Sequence, residues 1–594
     1  MRRSLACLAV LFGLAFAPTA HAQTMIPGGN VFGTWTTAGS PYIVQGDVTV
    51  PASTTLTIQS GVQVQFESGD AQASGRDTSR TEITVNGTLE VQGTAASPVV
   101  MRARSGISAG TWYGIVVSST AAGADLDHVE LRHARRALDV ATPGTLTDVD
   151  DVLIDSCSET GLHVDGGSSV FTRVSVTDCV SYGVYVYDGT PTFDALVADN
   201  TRYGVFVRTP AGATIQNALI RDQALYGVYV SQNSSSLADV TVLQSTIYST
   251  NTGVYLSASS GTTRDTIVRN SIVTDNSGYG ARRASTSGRL EVTYSNVWGN
   301  GTDLSSTTGG TGNLSANPLY VSAANLRLTS NSPARFAGNA GQDLGPLPYV
   351  SDATPGLYGY LWSNTTLTAV GSPYVIRGDL TVPAGVTLDI EAGVQLHFES
   401  GDFMASNRDT GRTELTVDGT LEVRGTAMAP VVMRARSGVS AGTWYGVVIS
   451  PVAASADLDH AQIRHARRAL DSAASGTTTD VDDLLIDSCS ENGLHVADGA
   501  ATFSRVAITD CVSYGVYVYD GTPTLDGLFA DDTRYGVFVR TPAAATIQNA
   551  VIRDQALYGV YVSMNSSSLD DTSVLQSTIN NSNIGVYLSA SSGT

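Results

Sequence analysis

Gly183-Val184-Tyr185-Val186 decides the fold when it is read after Gly161-Leu162-His163-Val164 and before Gly204-Val205-Phe206-Val207 and Gly227-Val228-Tyr229-Val230. A glycine followed by apolar, any, apolar recurs there every 21 to 23 residues. The series reaches back to Gly114-Ile115-Val116-Val117 and on to Gly253-Val254-Tyr255-Leu256. Asp, Asn, Ser and Gly fill the intervals, as turns require, while the runs themselves alternate with period two. No window sustains a 3.6-residue period, and Leu does not hold the fixed positions of a leucine-rich repeat. A strand-built repeat of this length is a solenoid whose coils pair at about 4.8 Å. The chain is therefore expected to be all-β.

The solenoid is itself repeated. Pro41 to Thr262 returns as Pro373 to Thr594 without a register slip, and Thr177–Thr192 is identical to Thr509–Thr524. The expected organisation is a leader at 1–22, a first helix with closing coils at 31–349, a linker and start of the second module at 350–372, and a second helix at 373–594. The second copy stops at the counterpart of Thr262, so the chain reads as a fragment, because an uncapped solenoid end would expose strand edges.

Arg2 and Arg3, an apolar run from Leu5 to Ala17, and Ala20-His21-Ala22 form a secretory signal, which predicts export to the cell surface or beyond after cleavage near Ala22. No other stretch approaches the roughly 20 apolar residues of a membrane span. A net charge of -21 argues against nucleic acid and anionic membrane as partners. All 33 basic residues are Arg, which excludes any reaction needing a catalytic Lys. A monomer is expected.

Tyr42-Ile43-Val44-Gln45-Gly46-Asp47, Val85-Asn86-Gly87-Thr88-Leu89-Glu90-Val91, Trp112-Tyr113-Gly114-Ile115 and Asn317-Pro318-Leu319-Tyr320 carry a family likeness. With them the chain resembles the secreted bacterial, right-handed parallel β-helix proteins of the pectate-lyase-like superfamily. The resemblance implies two tandem right-handed parallel β-helix (solenoid) domains. That architecture hosts lyases, hydrolases, epimerases, adhesins and inert spacers, so function has to come from the site.

The residue two after each marker glycine should point outward. That column reads Val116, Asp139, His163, Tyr185, Phe206, Tyr229, Tyr255, and its copy ends His495, Tyr517, Phe538, Tyr561, Tyr587. A second outward column adds Asp165, Tyr187, Arg208 and Ser231, with Tyr519 and Arg540 in the copy. Such a strip suits sugar rings stacked on aromatic faces; the alternative is a ladder kept for stability alone. Tyr182, Tyr203 and Tyr226 read as a further, structural ladder.

Other clusters carry weaker chemistry. Asp148, Asp150 and Asp151 could hold Ca²⁺ from one loop, or form a solvated turn; no other cofactor is expected. Asp178, Asp199 and Asp222 read as turn caps. Asp127, His128, Glu130, Arg132, His133, Arg135 and Arg136 could serve a uronic-acid site or be a salt-bridged strand. Cys157 and Cys179, like Cys489 and Cys511, lie one coil apart in a column continued by Asn200 and Gln223, as thiols or as disulfides. The expected function is a non-catalytic display or adhesion module that binds extracellular polysaccharide. The alternatives are a lyase or hydrolase using Arg208, Asp139, His163 and the Arg132 to Arg136 cluster, and a plain stalk.

Overall fold

The computed structural model describes residues 23–141, 147–347, 349, 351, 356–473, 478–565 and 571–590; the leader lies outside them. One coil shows the plan. Thr160–Asp165, Val170–Thr172 and Ser175–Thr177 are its three strands, and Tyr182–Asp188 opens the next coil. The coils pair parallel and in register, with Leu162 against Val184, His163 against Tyr185 and Val164 against Val186. Alternation sends Val184, Val186, Phe193, Leu196 and Ala198 inward, where all are buried. Fully burying a Val or Leu is worth about 1.5–3 kcal/mol, so each added coil supports the one beneath it. Near the start of the first helix Trp112 lies flat on Phe66 at 3.9 Å, and Trp444 repeats this on Phe398 at 3.8 Å.

Corners between strands are made by single residues in the left-handed region. Asp178, Asn200 and Asp222 have φ of 56°, 49° and 57°. Asn and Asp tolerate that conformation best, which accounts for the polar residues there. Asp178 and Asp222 are thus corner residues, whereas Asp199 is the last residue of the strand Val197–Asp199. A second expectation is corrected by the same geometry. Asn200 does not continue the cysteine column: it sits on the corner and donates to Asp178, while Thr201 and Gln223 take the buried positions and hydrogen-bond each other. The stretch from Thr201 to Gly204 is one residue shorter than those from Cys179 to Gly183 and from Gln223 to Gly227.

Among the described residues the only helical turns are the 3-10 turns Thr37–Gly39 and Ala369–Gly371. The chain forms two compact units, Met1–Thr293 with Asn300–Gly310, and Tyr294–Gly299 with Thr311–Thr594. The first carries a 12-stranded parallel sheet from Gly29–Asn30 to Thr302–Ser305. The second carries an 18-stranded and a nine-stranded sheet. Compactness therefore divides the chain ahead of the repeat boundary expected at 349. Within the second unit, Ser332 and Ala334 are buried, Asn331 donates to the Tyr358 carbonyl at 2.7 Å and Trp362 to that of Ser332 at 2.9 Å.

One buried position differs between the copies in a way that sets a test. Asn492 is fully buried and neither of its amide atoms has a partner among the described residues, where the first unit has Thr160. Asn492→Thr is expected to raise the stability of the second unit by about 1–2 kcal/mol, read as a higher urea midpoint.

Candidate functional site

The outward face of the 12-stranded sheet changes character along its length. Residues 67–81, between the strands Gln63–Phe66 and Glu82–Val85, form a loop that folds over its first part. Asp70 winds the loop: its carboxylate accepts from the backbone of Asp47, Gln72 and Ser74 at 2.8–3.0 Å. Asp47 accepts from Ser74 Oγ at 2.8 Å and from the Glu82 amide at 3.0 Å. Further along, Arg76 Nη1 reaches Asp139 Oδ2 at 3.1 Å, and Asp77 holds both Arg80 (2.9 Å) and Arg135 (3.0 Å). Glu159 then joins Arg135 (2.9 Å) to Arg136 (2.7 Å). Val116, Asp139 and His163 do point outward, but they are only 2%, 0% and 5% exposed. This corrects the expectation of a displayed column at these positions: Arg76 of the loop caps Asp139, and His163 is packed between Asp139, Tyr185 and Tyr187.

Under the edge of this loop lies a dyad. Asp139 Oδ1 and His163 Nδ1 are 2.8 Å apart, and Tyr113 donates its hydroxyl to Asp139 Oδ2 at 3.0 Å. Burial alone would raise the Asp139 carboxyl; the His163 hydrogen bond and the charges of Arg76 and Arg136 outweigh it and hold the group below its ordinary value. Tyr113 is pushed up to about 12 by burial and by the neighbouring Asp139 charge. An ionised Asp139 can only accept, so His163 donates to it from Nδ1 and Nε2 is left outside that bond. Nε2 has no partner among the described residues. The imidazole leans on Tyr185 at 5.3 Å and Tyr187 at 6.2 Å, and the Arg208 guanidinium lies 4.5 Å over the Tyr187 ring. The second unit repeats the whole arrangement with Asp471–His495 at 2.8 Å, Tyr445, Arg408 and Arg540 over Tyr519 at 4.4 Å. Asp139 thus touches His163, and His163 and Arg208 both lie against Tyr187.

Beyond His163 the face is aromatic. Tyr185, Phe206, Tyr229 and Tyr255 follow one another at 5.2, 4.7 and 5.2 Å, and Tyr182, Tyr203 and Tyr226 at 5.1 and 5.5 Å. The two columns also touch, as in Tyr182 on Tyr185 at 5.0 Å, so the expected separate ladders are one double row. Tyr517, Phe538, Tyr561 and Tyr587 repeat it. Stacking corrects the idea of a platform of ring faces: the faces are spent on one another. Solvent meets ring edges and hydroxyls. Tyr187 stands apart, at 87° to Tyr185 and 40% exposed. An open groove of about 350 Å³ beside Arg208 is lined by Ser231, Asn233, Ser257 and Ser259.

The remaining candidates are charge-compensated. Asp148, Asp150 and Asp151 are not a loop but part of the strand Thr147–Asp155. Arg173 pairs with both Asp150 and Asp151, and Asp148 faces Asp125 across the ladder. Asp127, His128 and Asp151 have ligand atoms within 4.8 Å of one another, yet Arg173 already holds Asp151 at 2.9 Å, and Ca²⁺ requires six to eight oxygens. The mixed-charge cluster splits. Arg132 pairs with Glu130 at 3.0 Å on one face, whereas Arg135 and Arg136 brace the dyad. Both cysteine readings occur: Cys489 and Cys511 are bonded, Cys157 and Cys179 are buried thiols.

Residues 160–319 and 471–594 match the family model described as right handed beta helix region, and residues 33–129 match that of the pectate-lyase like beta helix domain. Among solved structures, a mutant of the PL6 family alginate lyase AlyGC aligns over 96% of this chain and 94% of its own, at 8% identity and a TM-score of 0.23. No curated protein matches the sequence.

The carboxyls that anchor the loop give it a pH dependence. In the second unit Asp379 is raised to about 9 by burial and by the charges of Asp402 and Glu414, and burial raises Glu414 to about 7. Groups raised in the folded state favour folding while protonated in both states and lose that contribution as pH climbs through the folded values. The carboxylates held low, Asp471, Asp409 and Glu491, lose theirs only in acid, below the window concerned. The denaturant midpoint of the second unit is expected to fall between about pH 5 and pH 9, and Asp379→Asn to flatten that slope.

Proposed function

We propose that this right-handed parallel β-helix protein is an exported polysaccharide-binding module that grips its ligand along the aromatic row of each unit. One observation carries the reading. Every residue of the row and of the dyad is the same in both copies, from Asp139 and His163 through Tyr185, Tyr187, Phe206, Arg208, Tyr229 and Tyr255. Elsewhere the coils have drifted: Glu130 corresponds to Gln462, Asp165 to Ala497, Phe193 to Leu525 and Val197 to Phe529. Packing alone does not require this difference, since the buried Phe193 tolerates exchange for Leu.

The chemistry suits a hydroxylated polymer. In the adjoining column Tyr182, Tyr203 and Tyr226 place phenol hydroxyls at the strand spacing of about 4.8 Å, so an extended chain lying along the helix axis meets the same donors and acceptors in successive coils. Ring edges carry the positive end of the aromatic quadrupole, and Arg208 adds a full charge beside His163. An acidic sugar is therefore held best at that end of the row. The rings are fixed by mutual stacking, so little side-chain entropy is lost on binding.

The Asp139–His163 dyad supports a second reading, elimination on a uronate. Arg208 would neutralise the carboxylate while His163 Nε2 removes the proton beside it. Its signature is release of unsaturated ends absorbing in the ultraviolet. None released from pectate or alginate by the purified protein would dismiss this reading and leave the binding one standing.

Arg208→Ala with Arg540→Ala is expected to weaken retention on an acidic glycan column by roughly tenfold or more, with the circular dichroism spectrum unchanged. Undiminished retention would remove the row as the binding surface.

A further inference from the structure

The two units show one backbone arrangement in two oxidation states. Asp155-Ser156-Cys157-Ser158-Glu159 and Asp487-Ser488-Cys489-Ser490-Glu491 are identical, as are the stretches Thr177–Thr192 and Thr509–Thr524 that carry Cys179 and Cys511. Asp155 pairs with Thr177 as Asp487 pairs with Thr509. The Ser156 amide donates to the Thr177 carbonyl at 3.1 Å and that of Val180 to the Cys157 carbonyl at 2.9 Å; Ser488 and Val512 make the same bonds at the same lengths. Corner residues agree too, with φ of 59° at Ser156 and Ser488 and of 56° and 57° at Asp178 and Asp510. Cys489 and Cys511 are joined with their Cα atoms 4.5 Å apart, while Cys157 and Cys179 are buried thiols at the equivalent positions.

We infer that Cys157 and Cys179 are a second coil-to-coil disulfide site, which closes in an oxidising compartment without backbone rearrangement. The inference stands independently of the glycan reading. The co-reactant is a small-molecule disulfide such as oxidised glutathione. The thiolate of one cysteine attacks a sulfur of that disulfide and expels one thiolate, forming a mixed disulfide. The second cysteine, deprotonated, attacks the protein sulfur of that intermediate and expels the other half. The two protein thiols are oxidised, one small disulfide is reduced to two thiols, and the two protons released by the cysteines end on them. A groove of about 450 Å³ lined by Asp178, Cys179, Val180, Asn200, Thr201 and Arg202 leads to this position.

The bond would tie together the two coils on which the candidate site is built. Cys157 lies two residues before Glu159, the clamp on Arg135 and Arg136, and Cys179 lies three before Tyr182 in the aromatic row. Above them the same column continues as the hydrogen-bonded pair Thr201 and Gln223. A covalent rung at the base therefore fixes the spacing between His163 and Tyr185.

The full mature chain, equilibrated in glutathione redox buffers, would be trapped by alkylation and mapped by mass spectrometry without reduction. A Cys157–Cys179 crosslinked peptide appearing alongside Cys489–Cys511 is expected. Free alkylated Cys157 and Cys179 in samples where Cys489–Cys511 is crosslinked would overturn the inference, as would mixed pairing between the units. Hydrogen exchange gives a second readout. Cys157→Ser should speed exchange of the Thr160–Asp165 and Tyr182–Asp188 amides by roughly tenfold in oxidising buffer and leave the reduced protein's rates unchanged. An equal effect in both buffers would mean that the thiols only pack.

Discussion

In-register parallel pairing governs everything else in this molecule. Each side chain of a strand sits about 4.8 Å from its counterpart in the next coil, so every outward column has to be a sequence of compatible neighbours. Aromatics satisfy this readily, and Tyr185, Phe206, Tyr229 and Tyr255 form a continuous stack. Like charges do not: Glu90, Asp125 and Asp148 share a column, and Asp125 is raised first by burial and then by the Asp148 charge. Where a buried carboxylate stands on the face, it is compensated by its neighbour in the column and from the loop. Asp139 is answered by His163 in the next coil and by Arg76 from the loop above.

Much of the fold was legible because pairing writes its own period. The marker glycines give the coil, alternation gives inside and outside, and the repeat gives the second unit. What stayed hidden has no period. The loop at 67–81 is an insertion whose contacts join residues far apart in sequence, Arg76 to Asp139 and Asp77 to Arg135, so nothing local announces that Asp139 is capped. Asn200 was misplaced by counting from the glycine, since Gly204 comes one residue early while the corner and the buried position keep their spacing from coil to coil. Asp148, Asp150 and Asp151 looked like a turn because strands seldom carry so many acids. They are tolerated in a strand because Arg173 of the next coil holds two of them.

The candidate site was legible in its members and not in its mode. Tyr185, Tyr187, Arg208 and their counterparts do lie on one surface, as alternation predicts. Their interplanar angles could not be read from letters, and these decide whether a ligand meets π-faces or phenol edges. The dyad was equally invisible, since the 24 residues separating Asp139 from His163 become one strand spacing only after the coil closes. Outward columns therefore name the residues, and stacking geometry assigns what each offers.

Asp139 serves three partners through its two oxygens: Oδ1 faces His163, while Oδ2 receives Arg76 and Tyr113. A shared counter-ion is a lever. The bond to the imidazole and the tether to the loop draw on the same carboxylate. Linkage makes that sharing reciprocal, so the loop and the ring report on each other with equal strength. Each unit carries the same shared carboxylate, as Asp139 and as Asp471.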